Sequence, residues 1–366
     1  MGVEPERRSV MIFKLIKYTL FGAMLLALGA CGMLEGDERA NTPIPGSLVS
    51  KMNSMNSSAS EAMLVRIFKE DSELEVWKRT RDGTYKFLKS YEICSWSGEV
   101  GPKIREGDRQ SPEGFYTVTP GLMNPKSSYY LAFNTGFPNK FDRVHGRTGS
   151  DLMVHGDCSS RGCFAMTDEQ IAEIFAIARD AFRGGQREFQ LQIYPFRMTA
   201  ENLARHRDSE HLDFWRNLKI GYDAFEMSNR LPEWDVCEKR YIFNPESNGR
   251  LDPAGTCPAT YSSPQLMAEV MAKQVADDRV FETRVASIEQ DLAEQEARRI
   301  KREQEAAAGA ARTAAINAAV AERTNVVGNV VSGFFAGIFG GGREQTAQIN
   351  PDLIAPIPFP PPGFPR

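Results

Sequence analysis

Between residues 61 and 198 the chain is a succession of short runs in which apolar and polar residues alternate, each closed by a turn signal; no other feature restricts the fold as much. The runs are AMLVRIFKEDSELEVWKR, YKFLKSYEICSW, FYTVTP, YYLAFN, SDLMVHG and EFQLQIYPF. A period of two puts alternate side chains on opposite faces of a sheet, so a series of such strands predicts a mainly β domain. One segment breaks the pattern. In TDEQIAEIFAIARDAF, Ile171, Ile174, Phe175 and Ala178 recur at helical spacing, and Thr167 with Gln170 forms a capping box at its start. The expectation over 61–198 is a β domain with at least one packed helix.

The flanks read differently. Lys14 and Lys17 precede the apolar run YTLFGAMLLALGA, which is short for a bilayer span and ends in small residues, the pattern of a secretory signal. Leu28-Gly29-Ala30-Cys31 resembles the lipobox of bacterial lipoproteins, so residues 1–30 are expected to be a lipoprotein signal peptide and Cys31 the lipidated residue. Gly32 stands where aspartate would retain such a protein at the inner membrane, and this favours the outer membrane. Residues 31–60, rich in Ser, Asn and Met, are expected to form a flexible tether. Residues 199–262 are aromatic and mixed and predict a small helical extension. From Pro264 the composition shifts to Ala, Glu, Gln and Arg with no proline before Pro351, which predicts a long helical or coiled-coil segment over 263–325. Phe281, Val285, Ile288 and Leu292 step by 4, 3 and 4 and then the seam dissolves, so either a coiled-coil partner for 264–325 or a solvated helix fits. Residues 326–366, glycine-rich and apolar and then proline-rich, are expected to be a disordered tail.

The net charge of −4 argues against nucleic acid as a partner. Export exposes cysteines to an oxidising compartment, where spare thiols pair. With Cys31 assigned to lipid, Cys94, Cys158, Cys163, Cys237 and Cys257 remain, and an odd number leaves at least one thiol over. Residues 154–166, VHGDCSSRGCFAM, gather His155, Cys158 and Cys163 with Gly156 and Gly162. Three chemistries compete for them. A structural zinc site wants four ligands in paired units, and no second pair of recognisable spacing accompanies these. A disulfide between Cys158 and Cys163 would close a tight loop and leave the histidine without a purpose. A cysteine nucleophile that follows a glycine, near a helix start and beside a histidine, has what activates a thiol and supplies a base. Gly162 would let the backbone approach a substrate, and amides around Cys163 would donate to an oxyanion. The nucleophile reading accounts for the most residues.

The stretch LMVHGDCSSRGCFAMTD resembles the active-site segment of the L,D-transpeptidase catalytic domain family, the YkuD-like fold, and GDRQSPEGFYTV resembles that family's T-P-x-G-x-F strand entry, with Ser111 in place of threonine. The resemblance is closest to the short-spacer YafK/DpaA-like subgroup, because FNTGFPNKFDRVHGRTGSDLMVHGDC, IYPFRMT and FWRNLKIGYDAFE also fit it. It implies a mainly β, YkuD-like sandwich over 61–198, a family-specific extension over 199–262, and no metal or organic cofactor. It also implies Cys163 as nucleophile and His155 as proton acceptor and donor. Arg161 stands where most members carry a second histidine, which leaves the orienting groups open. Cys158 is the rival nucleophile, although Ser159-Ser160 follows it and not an apolar residue. His145 is either an orienting group or a turn histidine. Arg161, Arg147 and Arg143 are either clamps for substrate carboxylates or plain surface cations. With Cys163 kept free, the expected disulfides are Cys237 with Cys257 and Cys94 with Cys158.

The activity this resemblance implies is acyl transfer on peptidoglycan stem peptides at meso-diaminopimelate, through a thioester, by a periplasmic, lipid-anchored L,D-transpeptidase of cell wall biogenesis and cell shape. Resolution of the thioester by water would instead make the chain a hydrolase: an amidase releasing wall-attached lipoprotein, or an L,D-carboxypeptidase. A third reading is a non-catalytic tether between membrane and wall; the intact His155 and Cys163 weigh against it.

Overall fold

The computed structural model describes residues 38–160 and 162–338. Residues 1–30, expected to be a signal peptide, together with Cys31, Arg161 and the residues from 339 lie outside the described residues.

The chain runs through α1 (Gly46–Ser54), β1 (Met63–Phe68), β2 (Glu73–Arg79), β3 (Tyr85–Glu92), β4 (Ser95–Trp96), β5 (Gly114–Val118), β6 (Met123–Asn124) and β7 (Ala132–Asn134). It continues through α2 (Lys140–Val144), β8 (Met153–His155), β9 (Phe164–Ala165), α3 (Asp168–Arg183) and β10 (Phe189–Tyr194). Then come α4 (Ala200–Arg205), α5 (Leu212–Ser228), β11 (Trp234–Cys237), β12 (Arg240–Phe243) and α6 (Pro264–Ile338). Among the described residues, two five-stranded sheets form in the orders β3-β2-β1-β10-β5 and β4-β9-β8-β7-β6. Both are mixed: β1 runs parallel to β10 and β8 parallel to β9, with antiparallel pairs elsewhere.

The period of two decides the layers. On β1, Met63, Val65 and Ile67 enter a core shared with Phe133, Val154 and Phe164 of the second sheet and with Ile171, Ile174 and Phe175 of α3. That core is the interior of the sandwich. Phe68 on the opposite face joins Phe115, Tyr194, Trp215, Tyr222, Tyr241 and Phe243, a second core built with the extension. The first sheet is therefore covered on both faces, and β1 is buried at every position. Helix α3 begins at the expected capping box: Thr167 Oγ accepts from the Gln170 amide, and Gln170 accepts from the Thr167 amide.

Three expectations need correction. Residues 38–60 are not a free tether: Ile44, Leu48 and Met52, spaced by four, bury one side of the segment in the sandwich core, and Arg179 donates to the carbonyls of Ala40 and Thr42 at 2.7 and 2.8 Å. The extension is not only helical, because β11 and β12 form a hairpin turned by Glu238 and Lys239 at positive φ. The last helix continues past residue 325 to Ile338, since the Gly-containing run from 326 carries no proline to stop it.

The chain divides into two compact units after Glu289. Within the first, the opening turns of α6 dock on α5: Met267 and Val270 are buried, and Lys219 bonds both Asp223 and Asp277, while Lys273 reaches Asp277 at 2.5 Å. Phe281, the first residue of the expected seam, packs against the extension's core under Arg216. In the second unit, Leu292, Ile300, Ile316 and Val320 are exposed, and same-helix pairs such as Arg299–Glu303 at 2.7 Å line the surface. No helix of the described residues is long and apolar enough to cross a membrane.

Candidate active site

Strands β8 and β9 are parallel neighbours, with Val154 opposite Phe164 and His155 opposite Ala165. Parallel neighbours ordinarily need a long crossover; here the strands are only three and two residues long, so residues 156–163 suffice for the return. Register and alternation then place the side chains. Val154 and Phe164 point into the sandwich core, so Met153, His155 and Ala165 share the opposite face, and Cys163, the residue before β9, lies with its Sγ against the Met153 amide.

His155 is 3% exposed and its ring lies 4.7 Å from that of Tyr129. Its Nδ1 is 2.5 Å from the Gly156 carbonyl oxygen. A carbonyl only accepts, so Nδ1 carries the proton and Nε2 is left with its lone pair, the tautomer of a base. Gly156 is required by crowding: a Cβ there would lie 2.5 Å from Asp168 Oδ1 and 3.0 Å from the Tyr129 carbonyl.

Cys163 is half-buried and is the free cysteine among the described residues; Cys94 is joined to Cys158 and Cys237 to Cys257. Its Sγ accepts from the Met153 amide at 3.4 Å and donates to the Asp151 carbonyl at 3.5 Å. Burial pushes the thiol pKa up; the Met153 N–H opposes this, the Asp151 charge adds to it and Lys103 opposes it. Gly162 sits at φ +117°, a conformation that favours glycine, and so turns the chain into Cys163.

Three serines hold that turn. Ser160 Oγ accepts from the Cys163 amide at 3.1 Å and donates to the Cys163 carbonyl at 2.6 Å. Its single proton being used, Ser97 is the donor in the 3.1 Å contact between the two hydroxyls, and Ser97 Oγ in turn accepts from the Gly162 amide at 2.8 Å. Ser111 Oγ donates to the carbonyls of Gly162 and Cys163, both at 3.3 Å. The amides of Gly162 and Cys163, expected as oxyanion donors, are thus taken by serine hydroxyls. Sequence reading passed over Ser97 and Ser160. Ser111 carried a signal, its place in the strand-entry motif.

The other candidates lie elsewhere. His145 caps α2 and its Nε2 contacts the Lys239 carbonyl at 2.8 Å, with its ring against Phe141, which makes it a link to the extension's hairpin. Arg147 is paired with buried Asp142 at 3.0 Å beneath Phe141 and Phe214, and Arg143 donates to the Pro138 carbonyl. Neither is a free clamp. Among the described residues no group of three His, Cys, Asp or Glu is arranged to hold a metal.

Residues 65–183 match the family model described as the L,D-transpeptidase catalytic domain, YkuD. The chain is 44% identical over 228 residues to "Putative L,D-transpeptidase YafK" of Escherichia coli (strain K12), a match covering 62% of this chain and 89% of that protein. Similar solved structures include the helical cell shape determining protein Pgp2 of Campylobacter jejuni, at 25% identity and a TM-score of 0.30, covering 40% of this chain and 54% of that one. Bd1075 of Bdellovibrio bacteriovorus aligns at 24% identity and a TM-score of 0.27, covering 44% and 61%.

Proposed function

The chain belongs to the L,D-transpeptidase catalytic domain family, and from that premise we propose that it is an exported cysteine acyltransferase acting on peptidoglycan stem peptides at meso-diaminopimelate. The observation that carries this reading is a free thiol, Cys163, held against the strand that carries His155 by the Met153 amide at 3.4 Å, with the Nδ1–H of His155 committed to Gly156 and its Nε2 left with its lone pair.

A half-buried thiol whose pKa is pushed up is a poor nucleophile at neutral pH, so the base is needed at the moment of attack. His155 Nε2 takes the proton from Sγ as sulfur bonds to the carbonyl carbon at the L-centre of diaminopimelate. The resulting imidazolium returns that proton to the leaving amine as the C–N bond breaks, and a thioester remains on Cys163. An incoming amine then gives up its proton to His155 and attacks the thioester, forming a new amide and restoring the thiol. Water in place of the amine gives a carboxylate and makes the same site a hydrolase. The two disulfides of the first unit support an oxidising compartment, and a lipid on Cys31 would hold the enzyme at the outer membrane.

The test is incubation of the purified protein with defined muropeptides and measurement of product masses. An acyl-enzyme mass on Cys163 and cross-linked product are expected, both lost in Cys163→Ala. A product one water heavier than the thioester acyl group would assign the hydrolase. Unchanged turnover in Cys163→Ala would overturn the assignment of the nucleophile.

A further inference from the structure

The turn that carries Cys163 is joined to the extension by a chain of buried polar contacts. Lys69, just after β1, and Glu113, just before β5, are both fully buried and pair Nζ to Oε1 at 2.8 Å. All three Nζ protons are placed, the other two on the carbonyls of Gly101 at 2.8 Å and Ser111 at 3.1 Å. Glu113 Oε1 also accepts from the Gly101 amide at 2.6 Å, and Oε2 accepts from Trp215 Nε1 of α5 at 2.8 Å.

Removing an ion pair from water costs more than a well-packed apolar pair of the same shape would, so stability alone is a weak reason for it. Its geometry supplies another. Lys69 and Glu113 clamp Gly101 and Ser111, which lie in the segment leading from Ser97 to β5. Ser111 and Ser97 then bond the backbone of Gly162 and Cys163 on both its carbonyl and amide sides. From the Trp215 indole to the Cys163 backbone every link is a hydrogen bond of 3.3 Å or less.

We propose that Glu113 and Lys69, together with Trp215 of the extension, are positioning residues that set the conformation of the Gly162–Cys163 backbone, so that the extension is part of the catalytic apparatus. The proposal rests on reading Cys163 as the nucleophile. Trp215→Phe keeps a ring against Phe196, His206 and His211 but leaves Oε2 of a buried carboxylate without its donor. The carboxylate then shifts, and Gly101 and the serine hydroxyls shift with it.

The experiment compares Trp215→Phe and Glu113→Gln with Trp234→Phe. The last is an extension tryptophan that packs on Phe115 and Tyr241 outside the network. Amide hydrogen exchange at Gly162 and Cys163 is measured in the full-length protein, with kcat and KM on muropeptides. Both network variants should exchange about tenfold faster at these amides and lose about tenfold in kcat with KM within about twofold, while Trp234→Phe moves neither. If Trp215→Phe does not fold, Glu113→Gln decides by the same thresholds. Wild-type exchange and kcat in the network variants, or an equal effect in Trp234→Phe, overturns the proposal. A wild-type protein without turnover refutes the enzymatic reading separately, because exchange at the turn is still measurable.

Discussion

In the proposed mechanism, Cys163 supplies a thiol whose pKa burial pushes up and His155 a base whose tautomer is set by one backbone carbonyl. Burial is the main force raising the thiol, with Asp151 adding and Met153 and Lys103 opposing. An acid whose pKa is raised stays neutral to higher pH, and an ordinary cysteine titrates near pH ~8.5. Alkylation of Cys163 by iodoacetamide should therefore still be climbing above about pH 9. A rate that levels off between about pH 7 and 8 would refute the resting thiol. His155→Gln should leave that alkylation profile nearly unchanged while lowering turnover by roughly 10²–10⁴-fold, the range of a general acid–base group. Added to Cys163→Ala it should cost nothing further, since the two act as one unit.

At the scale of elements, the connection from β8 to β9 leaves β8 at a crowded glycine, Gly156, and reaches Cys163 through Gly162, whose φ is positive. The Cys94–Cys158 disulfide fastens it to the stretch between β3 and β4, closing a separation of 64 residues. A cross-link over so long a loop mainly restricts the unfolded chain, so replacing both cysteines with alanine should lower stability by roughly 2–5 kcal/mol in urea denaturation. Cys163 should remain the residue acylated by substrate in that variant. A loss below about 1 kcal/mol would refute that contribution of the cross-link.

For the whole molecule, the first unit is three layers deep, with the first sheet packed between the α3-backed sandwich core and the aromatic core of the extension. The segment from Glu38 onward is folded into it, with Ile44, Leu48 and Met52 in the sandwich core. Stable anchoring needs more than one acyl chain, which lipoprotein maturation at Cys31 would supply. On fractionation the wild-type protein should sediment with membranes, and Cys31→Ala should appear in the soluble fraction or as unprocessed precursor. A wild type found wholly soluble would refute the anchor.

The strands, α3 with its Thr167 cap and the pairing of His155 with Cys163 in one short segment are all written locally. A period of two, a period of 3.6 and a capping side chain act over a few residues, and the chain needs no distant partner to express them. What tertiary structure decided is who meets whom. Ser111 and Ser97 reach the Cys163 turn from 51 and 65 residues away, and Trp215 reaches Glu113 across 102. His145 and Arg147 have the chemistry of substrate contacts, but folding gave them the Lys239 carbonyl and Asp142 as partners. Ile44, Leu48 and Met52 look like scattered apolar residues among prolines and serines until a core is there to receive them. Such pairings leave no period in the sequence, because they depend on closing long loops around a shared core, and only the folded chain determines which groups that closure brings within hydrogen-bonding distance.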